Sequence, residues 1–134
     1  MAGYSKTPLV KKLGIKENFK VRFIHPPDNI LSLLGTLPEG VELLANNTQL
    51  ANFIHLFAKD IATFEQSIFQ LENEIERDGI IWVSWYKKAN KIPTDLTEYI
   101  VRDTALTTSL VDIKKCAVDE KWSGLKFVIR KELR

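Results

Sequence analysis

The sequence predicts an α/β fold: a three-layer domain with a mainly parallel sheet of about six strands and a C-terminal antiparallel hairpin. Three observations predict it. Short β-prone runs alternate with segments of helical period along the chain. The run Gly79 to Trp85 is apolar on both of its alternating faces, as a central parallel strand covered by helices above and below requires. The runs Leu110 to Val118 and Leu125 to Lys131 are joined only by the turn Asp119 to Gly124, which makes them an antiparallel pair. Right-handed crossovers place helices on both sides of the sheet, and the last strand runs the other way.

Each element has a local reason. Thr7 can cap a short helix reaching Leu13, with Pro8 at its first position and Gly14 as its left-handed stop. A strand from Lys20 to Ile24 ends at His25-Pro26-Pro27, because two prolines cannot donate to a ladder. Asp28 or Asn29 can cap a second helix that buries Ile30, Leu31, Leu33 and Leu34 and ends at Gly35. Val41 to Leu44 follows the turn signal Pro38-Glu39-Gly40, and Phe53 to Phe57 is the third strand. After Lys59-Asp60 the apolar period becomes helical: Ile61, Phe64, Ile68, Leu71 and Ile75 form one stripe, Asp60 caps it and Gly79 ends it. Beyond the central strand, Asp95 and Glu98 have capping-box spacing, and Leu96, Tyr99, Ile100 and Leu106 give that helix its inner face.

A chain of 134 residues fits a single domain, 1–134, since domains run to about 150. A 45% hydrophobic and 27% charged composition excludes disordered, collagen-like and coiled-coil classes. A net charge of +2 is too small to hold a polyanion by field strength, so nucleic acid is not an expected partner unless cations gather on one face. Cys116 is the only cysteine, which rules out an intrachain disulfide and a Cys-based zinc site; no metal is expected. With no leader-like start and no apolar run of about 18 residues, the expectation is a cytoplasmic protein away from membranes.

Several strings carry a resemblance. These are Gly3-Tyr4-Ser5, Thr7-Pro8-Leu9, Lys11 to Lys16, Leu37 to Val41, Lys87-Lys88, Pro93 to Glu98, Ala117 to Glu120 and Trp122 to Lys126. In them the chain resembles a family of short bacterial proteins, a domain of unknown function with a reduced Rossmann-like fold. The arrangement is similar to that of class I methyltransferases, whose sheet also ends in a reversed strand, with roughly a strand and a helix missing from the first half. The family brings no established activity with it.

The methyltransferase likeness implies a glycine-rich turn after the first strand, where backbone N–H groups meet the cofactor. The residues there are His25-Pro26-Pro27-Asp28-Asn29: no glycine, two residues without N–H, and an acid. The acidic residue that would hold a ribose after the second strand is replaced by Leu44-Ala45-Asn46-Asn47, and no phosphate-cradling loop is present. No cofactor is therefore expected.

Ligands of open α/β sheets bind beyond the carboxyl ends of the parallel strands. That rim collects His25, Lys87, Lys88, Thr94, Asp95, Asp119, Glu120, Trp122 and Ser123. His25 is either a loop histidine or a general base, and Lys87 and Lys88 either a solvated turn or an anion site. Thr94 and Asp95 are accounted for as helix caps, and Asp119 and Glu120 as partners of Lys87, Lys121 or Lys126. Trp122, in the hairpin turn, either packs or covers the rim as a lid or anchor. His55 and Cys116 read as core residues, and Ser84 and Ser123 lack a nucleophile turn. The expected function is a cofactor-less binding module whose rim takes a protein partner or a small anionic ligand. The alternative is a small-molecule transferase with His25 or Asp119 as base, Lys87 or Lys88 holding an anion, and a deep pocket on the rim.

Overall fold

The computed structural model describes residues 7–134. In chain order the elements are α1 (Leu9–Leu13), β1 (Lys20–Ile24), α2 (Ile30–Leu34), β2 (Glu42–Leu44), β3 (Ala51–Phe57), α3 (Ile61–Leu71), β4 (Ile75–Tyr86), α4 (Glu98–Ala105), β5 (Leu110–Ala117) and β6 (Trp122–Ile129). Single 3-10 turns occupy Lys88–Asn90 and Lys131–Leu133. The sheet order is β2-β1-β3-β4-β6-β5. Strands β1 to β4 run parallel, and β6 lies antiparallel between β4 and β5. This is the three-layer Rossmann-like arrangement, with β6 as the reversed strand.

Alternation along β3 divides the core. Ile54 and Leu56 face α3 and α4, joining Phe64, Ile68, Leu71, Val101 and Ala105. Phe53 and Phe57 face the other way, joining Val10 and Leu13 of α1, Ile30 and Leu34 of α2, Trp82 and Trp122. The Trp82 indole donates to the Leu13 carbonyl at 2.8 Å, so the strand-centre tryptophan also holds the end of α1.

Several boundaries depart from expectation. Helix α3 stops at Leu71, and Ile75 already opens β4. Gly79 lies inside that strand, where a Cβ would meet the Ile75 side chain at 2.6 Å and the Asn52 carbonyl at 3.0 Å; it permits a close approach instead of ending a helix. Pro8 stands at the N-cap of α1, one residue before the expected first position, while Gly14 closes it at φ 94° as expected. Asn29 precedes α2 without a side-chain cap bond, and Leu31 is 51% exposed. Tyr99 is 75% exposed because Val101 and Ala105 form the inner face of α4. Trp122, Ser123 and Gly124 belong to β6, so the hairpin turn is shorter than the sequence suggests.

Candidate functional site

The carboxyl ends of β1, β3 and β4, with the turn entering β6, form one rim. On its α1/α2 side lies a cavity of about 640 Å³, within the range of small-molecule sites. One wall is the first crossover, His25 to Asn29, and the opposite wall is aromatic. Trp122, only 4% exposed, stacks on Tyr86 with ring centroids 4.4 Å apart and meets Phe57 edge-on at 5.0 Å. Trp122 therefore packs as a wall and leaves the hollow open. Lys59 and Lys121 bring cations to it; Thr63 and Gln66 of α3 and Ile92 complete that side.

The crossover departs from the extended conformation that a residue before proline ordinarily takes. His25 turns the chain at φ 53°, a left-handed value rare outside glycine, and the two prolines follow on the cavity wall. Asp119 also reaches the cavity, but one of its oxygens accepts the amides of Lys121 and Trp122 at 2.8 and 2.9 Å. It shapes the turn in place of the expected pairing with an ammonium group.

Other rim residues are structural ties. The Thr94 hydroxyl donates to the Lys59 carbonyl at 2.7 Å and accepts the Leu96 amide at 3.1 Å. Asp95 does not cap its own helix: Thr97 does, accepting the Ile100 amide at 3.3 Å. The Asp95 carboxylate instead accepts the Ile61 amide at 2.8 Å, while Asp60 accepts that of Thr63 at 2.8 Å. Hydrogen bonds from the Thr63 side chain and then its backbone hold the Asp60 carboxyl below its ordinary pKa. Two carboxylates thus occupy the start of α3, where an anionic ligand would otherwise be drawn. Glu120 is exposed, and its carbonyl accepts from the Asn90 side chain at 2.6 Å.

Lys87, Lys88 and Ser123 fall on the other side of the sheet. They line a second cavity of about 450 Å³ with Tyr99, Arg102 and Lys115. Glu98 sits there, accepting from Lys115 at 2.5 Å and Arg102 at 2.6 Å. Lys115, then Arg102, hold its carboxyl below the ordinary range, and Glu98, then Asp112, hold the guanidinium above its own. The rim residues that read as one set are therefore split: His25, Asp119 and Trp122 on one face, Lys87, Lys88 and Ser123 on the other.

Behind the aromatic wall is a pair that the sequence does not bring together. The imidazole of His55 stacks on Phe57 at 4.0 Å, and its Nε2 lies 2.7 Å from the Ser84 hydroxyl. Both residues are fully buried, and Nδ1 has no hydrogen-bond partner among the described residues. Burial lowers the His55 pKa from 6.5 to about 3, so the ring is neutral. No spacing signal links positions 55 and 84; only the β3–β4 register does.

Neither a family model nor a curated protein matches this chain. Solved structures do match in fold. The ribosomal protein L11 methylase of Lactobacillus delbrueckii subsp. bulgaricus aligns with TM-score 0.59 at 14% identity, over 91% of this chain and 75% of that one. The PH0226 protein of Pyrococcus horikoshii OT3 aligns with TM-score 0.63 at 10% identity, over 92% and 87%. DhpI, solved with SAH, aligns with TM-score 0.60 at 6% identity, over 92% and 83%. The chain has the Rossmann-like fold of class I methyltransferases.

Proposed function

We propose that this chain is a binding module that uses the methyltransferase scaffold without its cofactor, and that its rim cavity takes a small anionic ligand with a flat ring. The observation that carries the reading is the wall His25-Pro26-Pro27, where two pyrrolidine rings replace the amides that adenosine cofactors need. The Phe57–Trp122–Tyr86 wall offers stacking, and Lys59 and Lys121 offer cations. Thermal-shift titration with S-adenosylmethionine, S-adenosylhomocysteine, NAD and ATP tests it. No stabilisation at low micromolar concentration is expected, and a clear one overturns the cofactor-less reading. Native mass spectrometry of protein from its own host should find a retained ligand that Gln66→Trp, which narrows the cavity, releases.

A small-molecule transferase is favoured by one specific observation: His25 and Asp119, two groups able to accept a proton, line the same cavity. On this reading the structural neighbours supply the chemistry by analogy, and cofactor stabilisation in the same titration would support it.

A further inference from the structure

We propose that the free edge of β5 is a docking site for an extended acidic segment of a partner protein, which adds one strand to the sheet. β5 is the last strand in the order, so one side of its backbone lacks a ladder partner among the described residues. Such an edge can take an added strand through main-chain hydrogen bonds.

The charge beside that edge is one-sided. Lys114 stands directly opposite Lys126, and Lys126 opposite Trp82, so all three side chains share the α1/α2 face. A Cβ on Gly14, two residues before Lys16, would lie 3.6 Å from the Lys126 ammonium, and burial, then Lys114 and Lys16, lower the Lys126 pKa. The Cys116 thiol on the same face is raised by burial against the opposing influence of Lys12, Lys114 and Lys126. Lys12 donates to the Ala117 carbonyl at 3.2 Å, and no carboxylate pairs with any of the four lysines among the described residues. Like charges directly opposite one another destabilise a ladder, and no carboxylate among the described residues offsets that cost by pairing with Lys114 or Lys126.

A bulge creates the arrangement. Asp112 faces α4, where its carboxylate meets Arg102 at 3.0 Å. Regular alternation would then send Ile113 to the lysine face and Lys114 away from it. The register shift between Asp112 and Lys114 leaves Ile113 55% exposed and turns Lys114 toward Lys126. Bulges commonly re-aim a side chain in this way.

Lysines and a bulge protect an edge against strands like itself, since a second β5 would set lysine against lysine. A strand of opposite charge meets no such barrier. Its alternate side chains would lie beside Lys114 and Cys116, where cations are unpaired. The intervening one would lie beside Lys115, already held by Glu98. The expected pattern is acidic, neutral, acidic. A nucleic acid is less well matched: it cannot use the free backbone edge, and the net charge is only +2.

The test is titration of the full chain with a peptide of the length of β5, eight residues, alternating Glu and Thr, followed by fluorescence anisotropy and amide NMR shifts. Saturable binding that weakens with salt and shifts the amides from Lys114 to Ala117 is expected. Lys114→Glu and, separately, Lys16→Glu should weaken it by about tenfold, as when an attractive pair becomes repulsive, with the melting temperature as the folding control. A peptide with proline at alternate positions should not bind. Absence of binding at millimolar peptide, equal binding of the proline peptide, indifference to Lys114→Glu, or equal competition by a single-stranded oligonucleotide would each overturn the proposal.

Discussion

The two faces of the sheet solve the same covering problem with different chemistry. On the α3/α4 face the core is largely aliphatic, and both helices are capped, α3 by Asp60 and α4 by Thr97. On the α1/α2 face two five-residue helices, whose N-cap residues Pro8 and Asn29 make no side-chain cap bond, cover Phe53, Phe57, Trp82 and Trp122, with His55 and Ser84 buried among them. Helices this short gain little from their own hydrogen bonds, so that face depends on packing of large rings. The rim cavity with prolines and aromatics opens on the same side. The buried His55–Ser84 pair and the left-handed His25 thus fall on the face of the rim cavity, while the other face carries the capped helices.

The largest expected difference between the faces is acid sensitivity. His55 titrates at about 3 in the folded chain and near 6.5 when unfolded, so between those values the unfolded state binds more protons. Its contribution to stability is full above pH 6.5 and is lost as pH falls toward 3, a loss on the order of 4–5 kcal/mol. Denaturant melts at pH 7, 5 and 4 should show this decline. In His55→Leu/Ser84→Ala, where both partners become apolar, the decline should flatten while stability at pH 7 changes little. An unchanged acid profile in that variant would assign the loss to carboxylates elsewhere.

A smaller effect tests how tightly the aromatic face is packed. A Cβ at Gly124 would lie 3.1 Å from both the Ser84 hydroxyl and the Trp82 ring. Gly124→Ala should therefore cost about 1–3 kcal/mol, measured by urea unfolding, as an overpacked core does. A neutral result would show slack beneath α1 and weaken the claim that packing alone holds that face.

The succession of strands and helices along the chain and the final hairpin were legible because apolar alternation and turn chemistry act over a few residues. Contacts distant in sequence were not. The stripe Ile61, Phe64, Ile68, Leu71 runs on to Ile75 by coincidence of period, since a strand's first buried residue falls where a helix's next one would. Asp95 has the spacing to cap its own helix, yet its carboxylate serves α3, 34 residues back. Strand direction alone gathers the rim residues at one edge of the sheet. Which face each residue occupies depended on register and on the exact start of β6, and those separate His25 from Lys87 and Lys88. The bulge before Lys114 left no mark in the sequence, and the exposure of Ile113 emerges only in the folded chain.

The smallest expected effect separates the faces through their helix starts. Thr97 supplies a side-chain acceptor to the Ile100 amide, an otherwise unpaired group in the first turn of α4. Thr97→Ala should cost about 1 kcal/mol. Asn29 occupies the same position before α2 but makes no such bond, so Asn29→Ala should leave the melting temperature essentially unchanged. Equal losses from the two substitutions would mean that Asn29 caps α2 in solution, and that the α1/α2 face is anchored locally like its counterpart. A loss confined to Thr97 would instead tie the short helices to the rings beneath them, so that a ligand stacking on Trp122 would stabilise α2 as well as itself.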